Sequence, residues 1–222
     1  MKKIVFLFVF LVAAEISSAN VFAQGDPVAG QAKSAVCGSC HGADGNSPLA
    51  LNPKLAGQGE AYLYKQLVEF KSGARQNATM AAMVMALNDD DMHDLAAYYS
   101  SQEVTLGGAD PALVDLGRSL YRAGNKDLGV AACMACHSPD GLGNGPAGFP
   151  ELGGQHAEYT FTQLKSFSSG IRNNDAAEMM RTTVQRLTDP ELEALASYLA
   201  GLNYCLLYTS PSPRDLSTSR MP

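Results

Sequence analysis

Cys37-Gly38-Ser39-Cys40-His41 and Cys133-Met134-Ala135-Cys136-His137 stand 96 residues apart, and this pair of pentapeptides decides the reading of the chain. In this spacing two thiols can add to the two vinyl groups of a haem, while the adjacent imidazole reaches the iron from one face. A single such pentapeptide can equally serve a thioredoxin-like or zinc site. Two of them, each opening a similar stretch of sequence, imply two covalently bound haem c groups. Cys37, Cys40, Cys133 and Cys136 are then the attachment points, and His41 and His137 the proximal ligands.

Outward from the motifs, the two halves repeat each other. Pro53-Lys-Leu-Ala-Gly57-Gln58 answers Pro150-Glu-Leu-Gly-Gly154-Gln155 at an offset of 97, and Tyr62, Gln66, Leu67, Phe70 and Gly73 recur as Tyr159, Gln163, Leu164, Phe167 and Gly170. Arg75-Gln-Asn77 recurs as Arg172-Asn-Asn174. Further on the offset becomes 100, with Leu87, Leu95, Ala96 and Tyr98 answered by Leu187, Leu195, Ala196 and Tyr198. Two copies are too few for a solenoid, so the pattern reads as a duplicated domain. The expected organisation is a signal peptide at 1–23, domains at 24–106 and 107–203, and a tail at 204–222.

Each copy predicts three main helices. The first opens at Asp26-Pro27 or Asp110-Pro111, an N-cap followed by proline at the first helical position. The second spans about 60–72 and 157–169, with Leu63, Leu67 and Phe70 on one face and Gly73 or Gly170 ending it. The third buries positions 92, 95, 96 and 99 or 192, 195, 196 and 199. Asn88 with Asp91, and Thr188 with Glu191, supply capping boxes, so Asp89-Asp90-Asp91 reads as helix-start chemistry and not as a metal site. Gly30 and Gly117 suit a close crossing of first and last helices near Leu95 or Tyr98 and Leu195 or Tyr198. With so much loop, each small domain needs the haem to complete its core.

The sixth iron ligand separates an electron carrier from a catalyst. Methionine thioether is the candidate: Met80, Met83 and Met85 in the first copy, Met179 and Met180 in the second. Met80 stands seven residues before Leu87 and Met180 seven before Leu187, both expected in loops, whereas the others have no repeat partner. Met83 and Met85 read as core filling, and Met179 remains the rival to Met180. Pro53 and Pro150 offer loop carbonyls to the second nitrogen of each proximal histidine, or are ordinary loop prolines. His93 reads as exposed, and neither His93 nor His156 has a repeat counterpart.

Lys2-Lys3, the apolar run from Ile4 to Ala14 and the small-residue end at Ala23 read as a secretory signal. The run is short for a membrane span, though left uncleaved it would tether the chain peripherally. Residues 204–222, rich in Ser and Pro and holding Cys205, read as adapter-derived sequence or a disordered tail. Between residues 24 and 204 stand 12 Lys or Arg against 20 Asp or Glu, a net charge of −8. That balance disfavours nucleic acid and anionic lipid and favours a basic docking surface on a redox partner.

With these residues in hand, the chain resembles the cytochrome c4 family over residues 25 to about 203. The resemblance rests on Gly42-Ala-Asp-Gly-Asn-Ser47 and Pro53–Gln58 after the first motif. In the second half it rests on Ser138-Pro139, Gly148-Phe149-Pro150 and Leu152-Gly-Gly-Gln-His156. It implies an all-α pair of tandem class I cytochrome c domains, with the haems facing each other across the interface. It also implies His/Met ligation through His41 with Met80 and His137 with Met180. The implied role is a periplasmic electron carrier, not an enzyme, taking electrons from a quinol-oxidising complex or other donor and passing them to a terminal oxidase. The competing readings are the haem subunit of a flavocytochrome c sulfide dehydrogenase-like complex, and a dihaem peroxidase or thiosulfate-oxidising enzyme.

Overall fold

The computed structural model describes residues 25–202. The expected signal peptide at 1–23 and the tail at 204–222 lie outside the described residues. Asp26 caps α1 (Pro27–Lys33), its carboxylate accepting from the N–H groups of Val28 at 2.8 Å and Ala29 at 3.4 Å. Pro27 sits where no N–H is needed. One residue later α2 (Ala35–His41) carries the first motif. Then follow α3 (Glu60–Ser72), α4 (Ala78–Val84) and α5 (Asp89–Ser100). The second half repeats the series as α6 (Val114–Ala123), α7 (Met134–His137), α8 (Ala157–Ser168), α9 (Met179–Val184) and α10 (Asp189–Gly201). Among the described residues the only β-pairing is two isolated bridges, Asn125 with Val130 and Asn144 with Phe149. The molecule is all-α.

Local chemistry explains the boundaries. Gly73 closes α3 in the left-handed conformation, φ 79°, which a side chain would resist. At the start of α5 the Asn88 side chain accepts from the Asp91 N–H at 2.8 Å and the Asp91 carboxylate accepts from the Asn88 N–H at 3.0 Å. Glu191 likewise accepts from the Thr188 N–H at 2.7 Å. The acidic run is therefore helix-start chemistry, and Lys33 of α1 bridges Asp91 at 2.7 Å and Asp94 at 2.8 Å.

One expected start moves. The first helix of the second half begins at Val114 and not at Asp110-Pro111. Asp110 accepts from Ala112 N–H at 2.9 Å in a turn, and its own N–H donates to Ser197 Oγ on α10 at 2.9 Å. Anchored to the last helix there, the chain turns before it can coil.

In both halves the first and last long helices cross through a glycine. A Cβ at Gly30 would lie 2.0 Å from the Asp94 carbonyl oxygen and 2.8 Å from Tyr98 Cβ, and one at Gly117 would lie 2.2 Å from that of Ala194 and 2.6 Å from Tyr198 Cβ. The predicted apolar faces are the buried ones. Met92, Leu95, Ala96, Tyr99, Leu192, Leu195, Ala196 and Leu199 are each no more than 5% exposed.

The halves meet through reciprocal contacts, residue for residue, as in an isologous dimer interface. Arg75 donates to Tyr159 Oη and to Gln163 Oε1, both at 3.0 Å, and Arg172 donates to Tyr62 Oη at 3.0 Å and to Gln66 Oε1 at 3.2 Å. Each guanidinium also lies over a phenylalanine of its own half, Arg75 over Phe70 at 4.6 Å and Arg172 over Phe167 at 4.4 Å.

Candidate functional site

Each motif forms a short helix that ends on its histidine. Gly42 follows α2 with φ 81° and ψ 148°, and Ser138 follows α7 with φ 64° and ψ 159°. That reversal turns the chain back over the histidine and leads into a loop tied by matched bonds. Gly45 O accepts from Leu55 N–H, and Gly141 O from Leu152 N–H, both at 2.7 Å. Gly57 N–H donates to Tyr99 O, and Gly154 N–H to Leu199 O, both at 3.0 Å. The loops are thereby sewn to the last helix of each half, with Pro53 and Pro150 held over the imidazoles.

His41 and His137 are buried, 7% and 5% exposed. The Pro53 carbonyl accepts from His41 Nδ1–H at 2.8 Å, and the Pro150 carbonyl accepts from His137 Nδ1–H at 2.9 Å. A carbonyl can only accept, so each bond fixes the Nδ1–H tautomer and leaves Nε2 with a lone pair. Desolvation lowers both imidazole pKa values, against the raising effect of the proline carbonyl, so the rings are held neutral. A neutral, oriented imidazole with a free Nε2 is the form that ligates iron. The two prolines thus hold the imidazoles of both motifs.

The thiols fit the same chemistry. Cys40 and Cys136 are exposed, while Cys37 and Cys133 are half-buried against the cores of their halves. Burial pushes the Cys133 thiol up to about 11 and raises Cys37 as well. A disulfide-exchange cysteine is instead activated by a lowered pKa. The buried Tyr99 Oη has no hydrogen-bond partner among the described residues. Two thiols and a neutral imidazole on one helical turn suit covalent haem.

The methionines separate by burial. Met80 and Met180 are half-buried, and Met180 packs against the second core. Met83, Met85 and Met179 are 46%, 63% and 41% exposed, so none of them fills a core. The expected loop placement gives way to short helices: Met80 lies in α4 and Met180 in α9. In the first half Asn77 caps α4 by accepting from the Met80 N–H at 2.9 Å. A helix turn spends the backbone polar groups of a segment that would otherwise leave them unpaired beside an apolar site.

The remaining histidines have structural roles. His93 is not exposed but stacks on Tyr64 with ring centroids 3.9 Å apart, its side chain 17% exposed. His156 Nε2 hydrogen-bonds the Ser47 carbonyl of the other half at 2.9 Å. Among the described residues no three His, Cys, Asp or Glu side chains converge on a bare metal site, and no helix is long and apolar enough to cross a membrane.

The family profile for cytochrome c matches this chain twice, over residues 27–103 and 114–203. Cytochrome c4 of Stutzerimonas stutzeri is 51% identical over 191 residues, covering 82% of this chain and 91% of that one. The chain belongs to the cytochrome c4 family. The crystal structure of reduced recombinant cytochrome c4 from Pseudomonas stutzeri superposes with a TM-score of 0.79 at 50% identity, covering 81% of this chain and all of that one. A thiosulfate dehydrogenase electron acceptor of Stutzerimonas stutzeri is 36% identical over 170 residues, covering 75% of this chain and 78% of that one. The chain is accordingly a two-haem electron-transfer protein with covalently bound haem c in each cytochrome c domain.

Motif reading did not assign a role to the groups that join the two sites. Gln58 Nε2 donates to Glu151 O and Gln58 Oε1 accepts from Glu151 N–H, both at 2.9 Å. Gln155 Nε2 donates to Lys54 O at 3.0 Å and its Oε1 accepts from Lys54 N–H at 2.9 Å. Each glutamine therefore grips the residue directly after the proline that holds the other half's imidazole. The available signal was their polarity: glutamine, tyrosine and arginine repeated at fixed offset on otherwise divergent surfaces mark a shared contact.

Proposed function

We propose that this chain is a periplasmic carrier that receives electrons from a quinol-oxidising complex or similar donor and delivers them to a terminal oxidase. Its irons are held by His41 with Met80 and by His137 with Met180. The observation that carries the reading is the matched pair of proximal arrangements, each with the Nδ1–H bonded to a proline carbonyl and one half-buried methionine at the repeat-equivalent place. Haem c bound in this way supplies a one-electron couple, and thioether ligation raises its potential. The chain's own contribution is to orient the imidazoles, shield them from water and fill the sixth position so that substrate has no iron site. The acidic net charge between residues 24 and 204 complements a basic patch on a partner.

Optical spectra of the wild type, Met80→Ala and Met180→Ala test the ligand assignment. Each variant is expected to lose the sulfur-to-iron charge-transfer band of one haem. Carbon monoxide binding to the unmutated reduced protein overturns the reading, because it reveals an open iron. A second acceptor relationship rests on the thiosulfate dehydrogenase electron acceptor relatives. Rapid reduction of this chain by a thiosulfate dehydrogenase, with no thiosulfate oxidation by the chain alone, would assign it that donor.

A further inference from the structure

The two methionine segments are built differently, and the difference lies in three additional residues. From Asn77 to Met80 the first half spends three positions, and from the equivalent Asn174 to Met180 the second spends six. In the first half the Asn77 amide alone caps the helix, on the N–H of Met80 itself. In the second half Asn174 does not cap. Its amide donates across the interface to Glu69 Oε2 at 2.6 Å and Gln66 Oε1 at 3.1 Å, and its carbonyl accepts from Lys65 Nζ at 2.9 Å.

The longer segment then crosses Ala177 at φ 50° and Glu178 at φ 59°, two consecutive residues in the left-handed region without being glycine. Such backbone persists only where its surroundings impose it. Here the surroundings centre on one ion pair, with the Thr182 hydroxyl donating to the Glu178 carbonyl at 2.8 Å and Arg181 Nη1 3.6 Å from the Glu178 carboxylate. Asp175, its side chain 5% exposed, accepts from Arg181 Nε at 2.7 Å and from the Arg181 backbone N–H at 3.0 Å. The first half has Ala81 where Arg181 stands, so no such clamp exists there.

We propose that the Asp175–Arg181 pair is a positioning clamp for Met180, so that the second iron keeps its thioether through a half-buried ion pair and the first through a simple amide cap. The clamp closes a loop whose near end is Asn174, fixed to the other half, and whose far end is the residue after Met180. Without it the left-handed turn relaxes and carries the thioether away. The inference rests on Met180 being the ligand, as proposed above.

The test uses the holoprotein, with its haem content confirmed as two per chain. Arg181→Gln and Asp175→Asn are each expected to lose about half of the charge-transfer band. The reduced variants should bind carbon monoxide at one haem, and Arg181→Lys should restore much of the band by keeping the charge. A merely structural pair would lower the thermal midpoint without opening an iron. A full band and no carbon monoxide binding in both variants sinks the clamp while leaving the ligand reading intact. Retention of the full band in Met180→Ala sinks the ligand reading, and the clamp with it.

Discussion

Lys54 and Glu151 occupy the same position in the two halves, one residue after the proline that holds each motif's imidazole, and they carry opposite charge. The backbone of each is gripped by a glutamine of the other half. Their side chains fare differently. The buried Lys54 ammonium donates to the carbonyls of Thr105 and Gly154, the latter at 2.9 Å. The Glu151 carboxylate lies beside Gly57 across the interface and takes no hydrogen bond among the described residues.

Burial, reinforced by the neighbouring Asp140 charge, raises the Glu151 pKa from 4.5 to about 7. A carboxyl raised on folding binds its proton more tightly in the native state than in the unfolded one. Its contribution to stability is therefore greatest below the unfolded value and declines as pH rises toward about 7. Glu151→Gln should remove that decline. The measurement is the difference in thermal midpoint between wild type and variant from pH 4.5 to 7.5; a constant difference refutes the assignment.

Ser138 adopts a backbone conformation that the first half assigns to Gly42. A non-glycine residue there costs on the order of 1–3 kcal/mol. Its hydroxyl offsets part of this by donating to Asp140 and accepting from the Leu142 N–H at 3.0 Å. Ser138→Ala keeps the strain and loses the bonds, so it should destabilise by about 1 kcal/mol. Ser138→Gly should match or exceed the wild type. Denaturant midpoints that rank the alanine variant above the glycine variant contradict this account.

The helix crossings leave no room for a methyl group. Gly30→Ala places a Cβ 2.0 Å from a carbonyl oxygen, so α1 and α5 must separate. A cost of about 2–3 kcal/mol is expected. Calorimetry should show the same penalty at Gly117→Ala, where the approach is 2.2 Å. A negligible loss at both sites means the helices can slide apart freely.

Arg75 donates to partners in both halves, Gln66 at 2.8 Å and Tyr159 at 3.0 Å. Arg75→Ala removes the donor to the Tyr159 hydroxyl while Gln66 and Gln163 keep Arg172, and should cost about 1–2 kcal/mol. In a double-mutant cycle with Tyr159→Phe, a coupling of about 1 kcal/mol is expected. A coupling indistinguishable from zero shows that the phenol contributes nothing across the interface.

Much was legible because it is local. The span of α3, the Asn88 box and the Asp26 cap depend on bonds between residues two to four apart, and the chain carries those partners itself. Asp110-Pro111 opens a turn over 111–113 and not the helix itself, and Ser197, 87 residues away, ties its start to α10. His93 is likewise decided at long range: its acidic neighbours suggest solvent, but Tyr64 of α3 covers the ring.

The duplicated haem motifs, the two histidines and the helical repeat were set by the sequence alone, since covalent spacing and short-range hydrogen bonding need no knowledge of the fold. Tertiary structure decided which methionines are sheltered, which carbonyls hold the imidazoles, and how Gln58 and Gln155 cross between the halves. Those outcomes depend on groups brought together from distant positions, and burial exists only once the chain has closed around them.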